Sequence, residues 1–161
     1  MLEIQHIELD ALFWEPNWVE TTPDVFRSRV NHALELDQWI LDGNFLSKIK
    51  DIVWDKIDTI IWLDPSLRTI LIRFLSRSII RAISREVLWN GCRESLRNSI
   101  FKKNSLLVWI LTTHKRRRED YTTLMSKASA SNIVTYHLKN QSDLDHFRAH
   151  ITDKSSKSKD V

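Results

Sequence analysis

Short apolar runs alternate with longer segments of helical periodicity along this chain of 161 residues. The apolar runs predict four strands, which span residues 4–9, 39–41, 57–63 and 133–138. The spacing of apolar residues between and after these runs predicts helices over 22–36, 65–85 and 105–127, and a last helix with Ser142 as its N-cap. Because strands alternate with helices, the pattern predicts an α/β protein with a parallel sheet.

Acidic residues follow three of the predicted strands, namely Asp10, Asp42 and Asp64. Ligands of parallel sheets bind at the carboxyl ends of the strands. A carboxylate at such a position can hold Mg²⁺, usually through water, or accept the proton of a substrate hydroxyl. The alternative is a turn or a helix cap. The sequence favours a functional role for Asp10 and Asp42 and a structural role for Asp64, which precedes Pro65.

Charge is divided unevenly along the chain. Residues 1–66 carry 13 acidic and 5 basic side chains, whereas residues 67–161 carry 8 acidic and 19 basic ones. The basic part includes arginines at every fourth position from 73 to 85 and a run of four cations at 115–118. Such clusters indicate nucleic acid, an acidic membrane surface or a phosphorylated small molecule as a partner. Long solvated helices are the alternative explanation.

Cysteine content and hydropathy indicate the compartment. Cys92 is the only cysteine, so we expect a structural thiol and a reducing environment. No apolar stretch approaches the ~20 residues that span a membrane, and the acidic first residues do not resemble a signal peptide. We therefore expect a cytoplasmic protein that does not associate with a membrane.

Several segments, taken in order, resemble a bacterial family of small P-loop proteins that is related to adenylate kinase and is sometimes labelled DNA topology modulation proteins. The resemblance covers roughly residues 3–151. The matching segments are 6–14, 16–18, 39–44, 58–64, 89–96 and 113–118. Two of them contain the only glycines of the chain, Gly43 in Ile-Leu-Asp-Gly-Asn and Gly91 in Trp-Asn-Gly-Cys-Arg.

The resemblance implies a three-layer kinase fold with strand order 2-3-1-4-5, ATP on the P-loop, and a basic lid over about residues 77–118. It implies that Asp42 lies near the phosphates and holds Mg²⁺ through water. The implied catalytic residues are Asp42, Asp10, Arg77, Arg81 and Arg93. The implied ATP-binding residues are Arg77, Arg81, Arg85 and Arg117. The residues implied for the phosphate acceptor, a nucleotide or another small molecule, are Asp10, Trp14, Arg27 and Asn44.

One departure from the family is large. No Gly-Lys-Ser or Gly-Lys-Thr occurs in the chain, so the glycine-rich phosphate loop is missing. The resemblance implies that the part corresponding to the first, central strand of the family is missing as well. We therefore expect one incomplete domain over 1–152, a disordered tail over 153–161, weak stability and no useful phosphate transfer. The alternatives are a basic protein that binds nucleic acid and a module that accepts a strand from another protein.

Overall fold

The computed structural model describes residues 4–93, 100, 102 and 105–157, and for residues 154–157 only the backbone. The chain divides into two compact units, where we expected one domain. The N-terminal unit contains described residues 4–57 and 81–93. The C-terminal unit contains residues 58–80 and the described residues from 100 onward.

The N-terminal unit combines two small sheets with three helices. Its strands are β1 (Gln5–Glu8), β2 (Trp14–Glu15), β3 (Val19–Glu20) and β4 (Trp39–Asp42). Its helices are α1 (Leu9–Phe13), α2 (Pro23–Ala33) and α3 (Leu46–Val53), with 3₁₀ turns at Pro16–Trp18 and Trp89–Gly91. β1 pairs with β4 in parallel, and β2 pairs with β3 in a short antiparallel hairpin. The parallel pairing of the first two predicted strands is thus confirmed.

Helix α2 begins as its sequence predicts. The Thr22 hydroxyl accepts a hydrogen bond from the Val25 N–H at 3.4 Å, and proline occupies the first helical position. Apolar residues at helical spacing in α2 and α3 bury their side chains in one core. The buried members of this core are Leu9, Phe13, Phe26, Val30, Leu34, Ile49 and Val53.

The C-terminal unit is built on a second parallel strand pair. Its elements are β5 (Thr59–Leu63), α4 (Leu67–Ser84, of which the last turn belongs to the N-terminal unit), α5 (Leu106–Ala130), β6 (Val134–Leu138) and α6 (Gln141–Lys157). β5 pairs with β6, and Trp62 lies opposite His137. The Ser105 hydroxyl caps α5 by accepting from the Val108 N–H at 3.3 Å. The mixed α/β class and these helices agree with the sequence prediction.

Several local predictions were wrong. The N-cap of α6 is Asn140 instead of Ser142, because the Asn140 Oδ1 accepts from the Asp143 N–H at 3.0 Å. Helix α6 continues to Lys157, so 153–157 are not a disordered tail, and residues 158–161 lie outside the described part. Three elements of the N-terminal unit were not predicted at all, namely α1, α3 and the hairpin of β2 and β3. No helix in the described part is long and apolar enough to cross a membrane.

Candidate functional site

Asp42 ends β4 and is largely open to solvent. Its side chain is 71% exposed, and its Oδ2 lies 3.6 Å from the His6 Nε2 on neighbouring β1. The next residue, Gly43, has a φ of +144°, and a Cβ there would lie 2.8 Å from the Cβ of Leu9. A glycine is therefore required for the chain to turn at this strand end. The turn carries Asn44, which was predicted to bind the phosphate acceptor.

Asp10 and Trp14, both predicted to bind the phosphate acceptor, are in direct contact. Asp10 lies in α1, directly after β1, and its Oδ1 accepts a hydrogen bond from the Trp14 Nε1 at 3.0 Å. The Trp14 ring also packs edge to face against Trp18, with centroids 5.5 Å apart. The carboxylate thus fixes the orientation of the indole at the carboxyl end of β1.

Arg27 is engaged in an ion pair between two helices. Its guanidinium binds both carboxylate oxygens of Asp51, at 3.0 and 2.5 Å, and donates to the carbonyl oxygen of Lys48 at 2.8 Å. The hydrogen bond from Arg27 lowers the pKa of Asp51 and raises that of Arg27. Arg27 therefore links α2 to α3 in this structure, and a role in ligand binding needs this pair to open.

Residues 89–93 pack against the hairpin that β2 and β3 form in the N-terminal unit. The Asn90 Nδ2 donates to the carbonyl oxygens of Ala11 and Trp14 at 3.1 and 2.6 Å. The Cys92 side chain is buried, and its Sγ accepts from the Trp18 N–H at 3.3 Å. The prediction of a structural cysteine agrees with this environment.

The predicted lid arginines are divided between the two units. In the N-terminal unit, the Arg81 Nε lies 3.3 Å from the Glu86 carboxylate, Arg85 is exposed, and the Arg93 carbonyl accepts from the Trp18 Nε1. In the C-terminal unit, Arg77 is exposed on α4.

Arg117, also in the C-terminal unit, is held by aromatic rings of its own helix. Its guanidinium lies 4.7 Å from the ring centroid of Trp109 and 5.7 Å from that of Tyr121. Cation–π contacts of this kind contribute about 0.5–1 kcal/mol each at exposed sites.

A cluster of three polar side chains, Asp64, Arg118 and His137, lies at the carboxyl end of β5. The Asp64 side chain is only 5% exposed, and its Oδ2 accepts from the Arg118 Nε and the His137 Nε2, each at 2.9 Å. A buried carboxylate is stable when it is paired and hydrogen-bonded in this way. Asp64 thereby fixes one edge of the Arg118 guanidinium and one nitrogen of His137.

Aromatic stacking supports the same cluster. The His137 imidazole lies parallel to the Trp62 indole, with centroids 4.0 Å apart, and Trp62 also stacks on Tyr121 at 5.8 Å. Beside these rings is a pocket of about 350 Å³. Its lining residues are Trp62, Asp64, Lys115, Arg118, Glu119, Thr122 and His137. The pocket thus combines aromatic rings with side chains of both charges: the cations Lys115 and Arg118 stand beside the acids Asp64 and Glu119. The two cations are the groups that can contact an anionic ligand there.

Sequence reasoning favoured a turn at Asp64 and did not single out His137. The available signal was positional: an acid follows one strand, and a histidine is the penultimate residue of the strand that pairs with it. Among the residues that the structure describes, no three His, Cys, Asp or Glu side chains form a group that could hold a metal ion. Asp42 offers a single carboxylate, which fits Mg²⁺ only if water and phosphate supply the other ligands.

No family model, no curated protein and no solved structure matches this chain.

Proposed function

We propose that this protein is a kinase-like nucleotide-binding protein, which binds the phosphates of a nucleotide but does not transfer them at a useful rate. The observation that carries the proposal is the pocket in which Lys115, Arg118 and His137 stand beside the buried carboxylate of Asp64. Nucleotide recognition needs cations for the phosphates, which Lys115 and Arg118 would supply, and a flat surface for the base. The partly exposed imidazole of His137 would supply that surface, because the Trp62 ring on which it stacks is buried.

Two cationic side chains of the pocket, Lys115 and Arg118, can contact the same anion. Lys115 and Arg118 are both exposed and lie three residues apart on α5, hence on one side of the helix. The contact with Asp64 orients the guanidinium before a ligand arrives, so less conformational entropy is lost on binding. A planar guanidinium can bind a phosphate through two parallel hydrogen bonds.

The strand pairs support the kinase-like part of the proposal. β1 with β4 and β5 with β6 are parallel pairs, and in the order 2-3-1-4-5 they correspond to the pairs 2-3 and 4-5. In this scheme Asp42 would hold Mg²⁺ through water, and Asp10, Trp14 and Asn44 would meet the phosphate acceptor. Arg27 would join them only after its pair with Asp51 opens.

Phosphate transfer is not expected from this chain. Its two glycines cannot form a nest of backbone N–H groups, and no Gly-Lys-Ser or Gly-Lys-Thr supplies the phosphate-binding lysine and the hydroxyl for Mg²⁺. We therefore expect binding of ATP or ADP without turnover of ATP.

Isothermal titration of the full chain with ATP, ADP and inorganic phosphate, with and without Mg²⁺, tests the proposal. The double variant Lys115→Ala, Arg118→Ala should weaken nucleotide binding about tenfold or more, because it removes two charge-assisted contacts. Lys127→Ala is the matched control, since it removes an exposed cation near the other end of α5. Absence of nucleotide binding, or an equal loss in the control, would contradict the proposal.

A second candidate function is the binding of nucleic acid, favoured by the exposed cations Lys115 and Arg116 on α5. Nucleic-acid affinity falls steeply with salt because each neutralised phosphate releases counterions. Titration of duplex and single-stranded DNA at two salt concentrations separates the two candidates. Tighter binding of DNA than of ATP, with a steep salt dependence, would favour nucleic acid.

A further inference from the structure

Strand β5 combines an apolar sequence with an open position at the edge of its sheet. Among the described residues, β5 pairs with β6 alone. Parallel strands with apolar residues on both faces normally lie inside a sheet. In β5, however, Ile61 is 45% exposed and Leu63 is 64% exposed. A two-stranded sheet of this kind is marginal in water unless more strands or helices cover it.

The hydrogen-bond pattern shows which backbone groups point to the open edge. The Val134 N–H donates to the Asp58 carbonyl, and the Asp64 N–H donates to the Leu138 carbonyl, each at 2.8 Å. Even-numbered residues of β5 therefore direct their N–H and C=O groups toward β6. Because direction alternates along a strand, Thr59, Ile61 and Leu63 direct theirs away from β6. The side chains of these same three residues are exposed.

Nothing within β5 opposes the addition of another strand. Its sequence, Thr-Ile-Ile-Trp-Leu, contains no charge and no proline, the features that usually protect an edge. Helix α4 also exposes apolar side chains, such as Ile72 and Ile80, but it carries exposed Arg73 and Arg77 among them. Like charges would repel two copies at α4, whereas β5 is uncharged and can pair with itself.

We propose that two copies of this chain associate through β5, which pairs antiparallel with β5 of the second copy about a two-fold axis at Ile61. In this register Ile61 lies opposite Ile61, and Thr59 lies opposite Leu63 of the second copy. All of these positions direct backbone groups toward the open edge, so about six hydrogen bonds form. The result is one four-stranded sheet in the order β6, β5, β5, β6, a usual size for a stable sheet. This inference does not depend on the proposed nucleotide binding, but it replaces the strand order 2-3-1-4-5, because the second copy would occupy the side of β5 on which that order places its first strand.

The register has one unfavourable contact, which makes it testable. Asp58 would lie opposite Asp64 of the second copy at each end of the strand pair. Asp64 is already paired with Arg118 and His137, but Asp58 is exposed, and like charges directly opposite each other weaken strand pairing. Asp58→Asn should therefore strengthen dimerisation, roughly two- to tenfold in the dissociation constant.

Disulfide trapping tests the register directly. Opposed residues of a hydrogen-bonded antiparallel pair have Cα atoms about 5.5 Å apart, within the ~4.4–6.8 Å of a disulfide. Ile61→Cys should therefore give a disulfide-linked dimer under mild oxidation. Thr59→Cys alone should not, because the two copies of residue 59 would lie about 14 Å apart along the strands. Thr59→Cys combined with Leu63→Cys should restore the link. The native chain is the blank, since Cys92 is 1% exposed.

Sedimentation velocity of the native chain over a range of concentrations completes the test. We expect a monomer–dimer equilibrium that Ile61→Arg shifts to monomer, because it places like charges opposite each other at the axis. Ile80→Arg, on the exposed side of α4, is the matched control and should leave the equilibrium unchanged. If Ile61→Arg does not fold, the cysteine variants still decide. A monomer at all concentrations, a dimer indifferent to Ile61→Arg, or linking by Thr59→Cys alone as efficient as by Ile61→Cys would overturn the proposal.

Discussion

Asp64→Asn tests the polar cluster that Asp64 forms with Arg118 and His137. The substitution keeps the size of the side chain but replaces an ionised acceptor with a neutral amide. In the native chain this carboxylate is 5% exposed and receives two N–H donors at 2.9 Å, from Arg118 and His137. We expect the variant to be less stable and to bind nucleotide more weakly, since Arg118 loses the contact that orients it.

The magnitude follows from the exposure of the donors. A hydrogen bond to a charged group contributes about 1.5–3 kcal/mol. The Arg118 side chain is 55% exposed and the His137 side chain is 34% exposed, so water replaces part of each lost interaction. The substituted amide would also retain one acceptor oxygen. The expected loss in the free energy of unfolding is therefore about 2 kcal/mol, below the full value of two charged hydrogen bonds.

Urea unfolding followed by circular dichroism measures this loss. Asp120→Asn, which neutralises an exposed acid on α5, serves as the control and should change the free energy of unfolding by less than about 0.5 kcal/mol. A double-mutant cycle with Arg118→Gln should give a coupling of about 0.5–3 kcal/mol with Asp64→Asn. Equal stability of Asp64→Asn and the native chain, or the absence of coupling with Arg118→Gln, would show that the contacts of Asp64 do not stabilise the fold.

Three further variants test other parts of the structure. Gly43→Ala should cost about 1–3 kcal/mol, because its φ of +144° and the 2.8 Å approach of a Cβ to Leu9 both oppose a side chain; a thermal melt measures the cost. Phe26→Ala should cost about 3–5 kcal/mol in urea unfolding, since this side chain is fully buried. Hydrogen bonding from the Lys139 N–H lowers the pKa of Asp143. The ionised Asp143 carboxylate therefore stabilises the fold at a pH above the usual carboxyl pKa. This stabilisation is lost as the pH falls through the lowered pKa. Asp143→Asn should therefore show a smaller loss of stability on acidification, measured by urea unfolding at several pH values.

Periodicity was a good guide to the elements because apolar residues in strands and helices face the core at regular intervals. The parallel pairs β1–β4 and β5–β6 coincide with the predicted strands, and Thr22 caps α2 as expected. Helix α3 was missed because only eight residues carry its pattern. Ser142 was predicted as the cap of α6, but Asn140 suits that role equally by residue type, and its hydrogen bond from the Asp143 N–H identifies it as the cap.

The candidate site was harder to infer than the fold. Asp10 and Trp14 were predicted together and are in contact. The sequence could not show that Arg27 is paired with Asp51, since these residues are far apart in the chain and meet only through the packing of α2 on α3. Asp64 was treated as a turn residue, although His137 and Arg118 converge on it from β6 and α5. Pairing across elements distant in sequence leaves no local signal.

The pocket beside Asp64 is proposed to bind the phosphates of a nucleotide. Titration of the isotope-labelled full chain with ATP, followed by NMR of the Trp62 indole and the His137 imidazole, examines this pocket itself. We expect both signals to shift in a saturable manner, and we expect Lys115→Ala, Arg118→Ala to abolish most of the shift, whereas Lys127→Ala does not. Unchanged Trp62 and His137 signals at saturating ATP would contradict the claim.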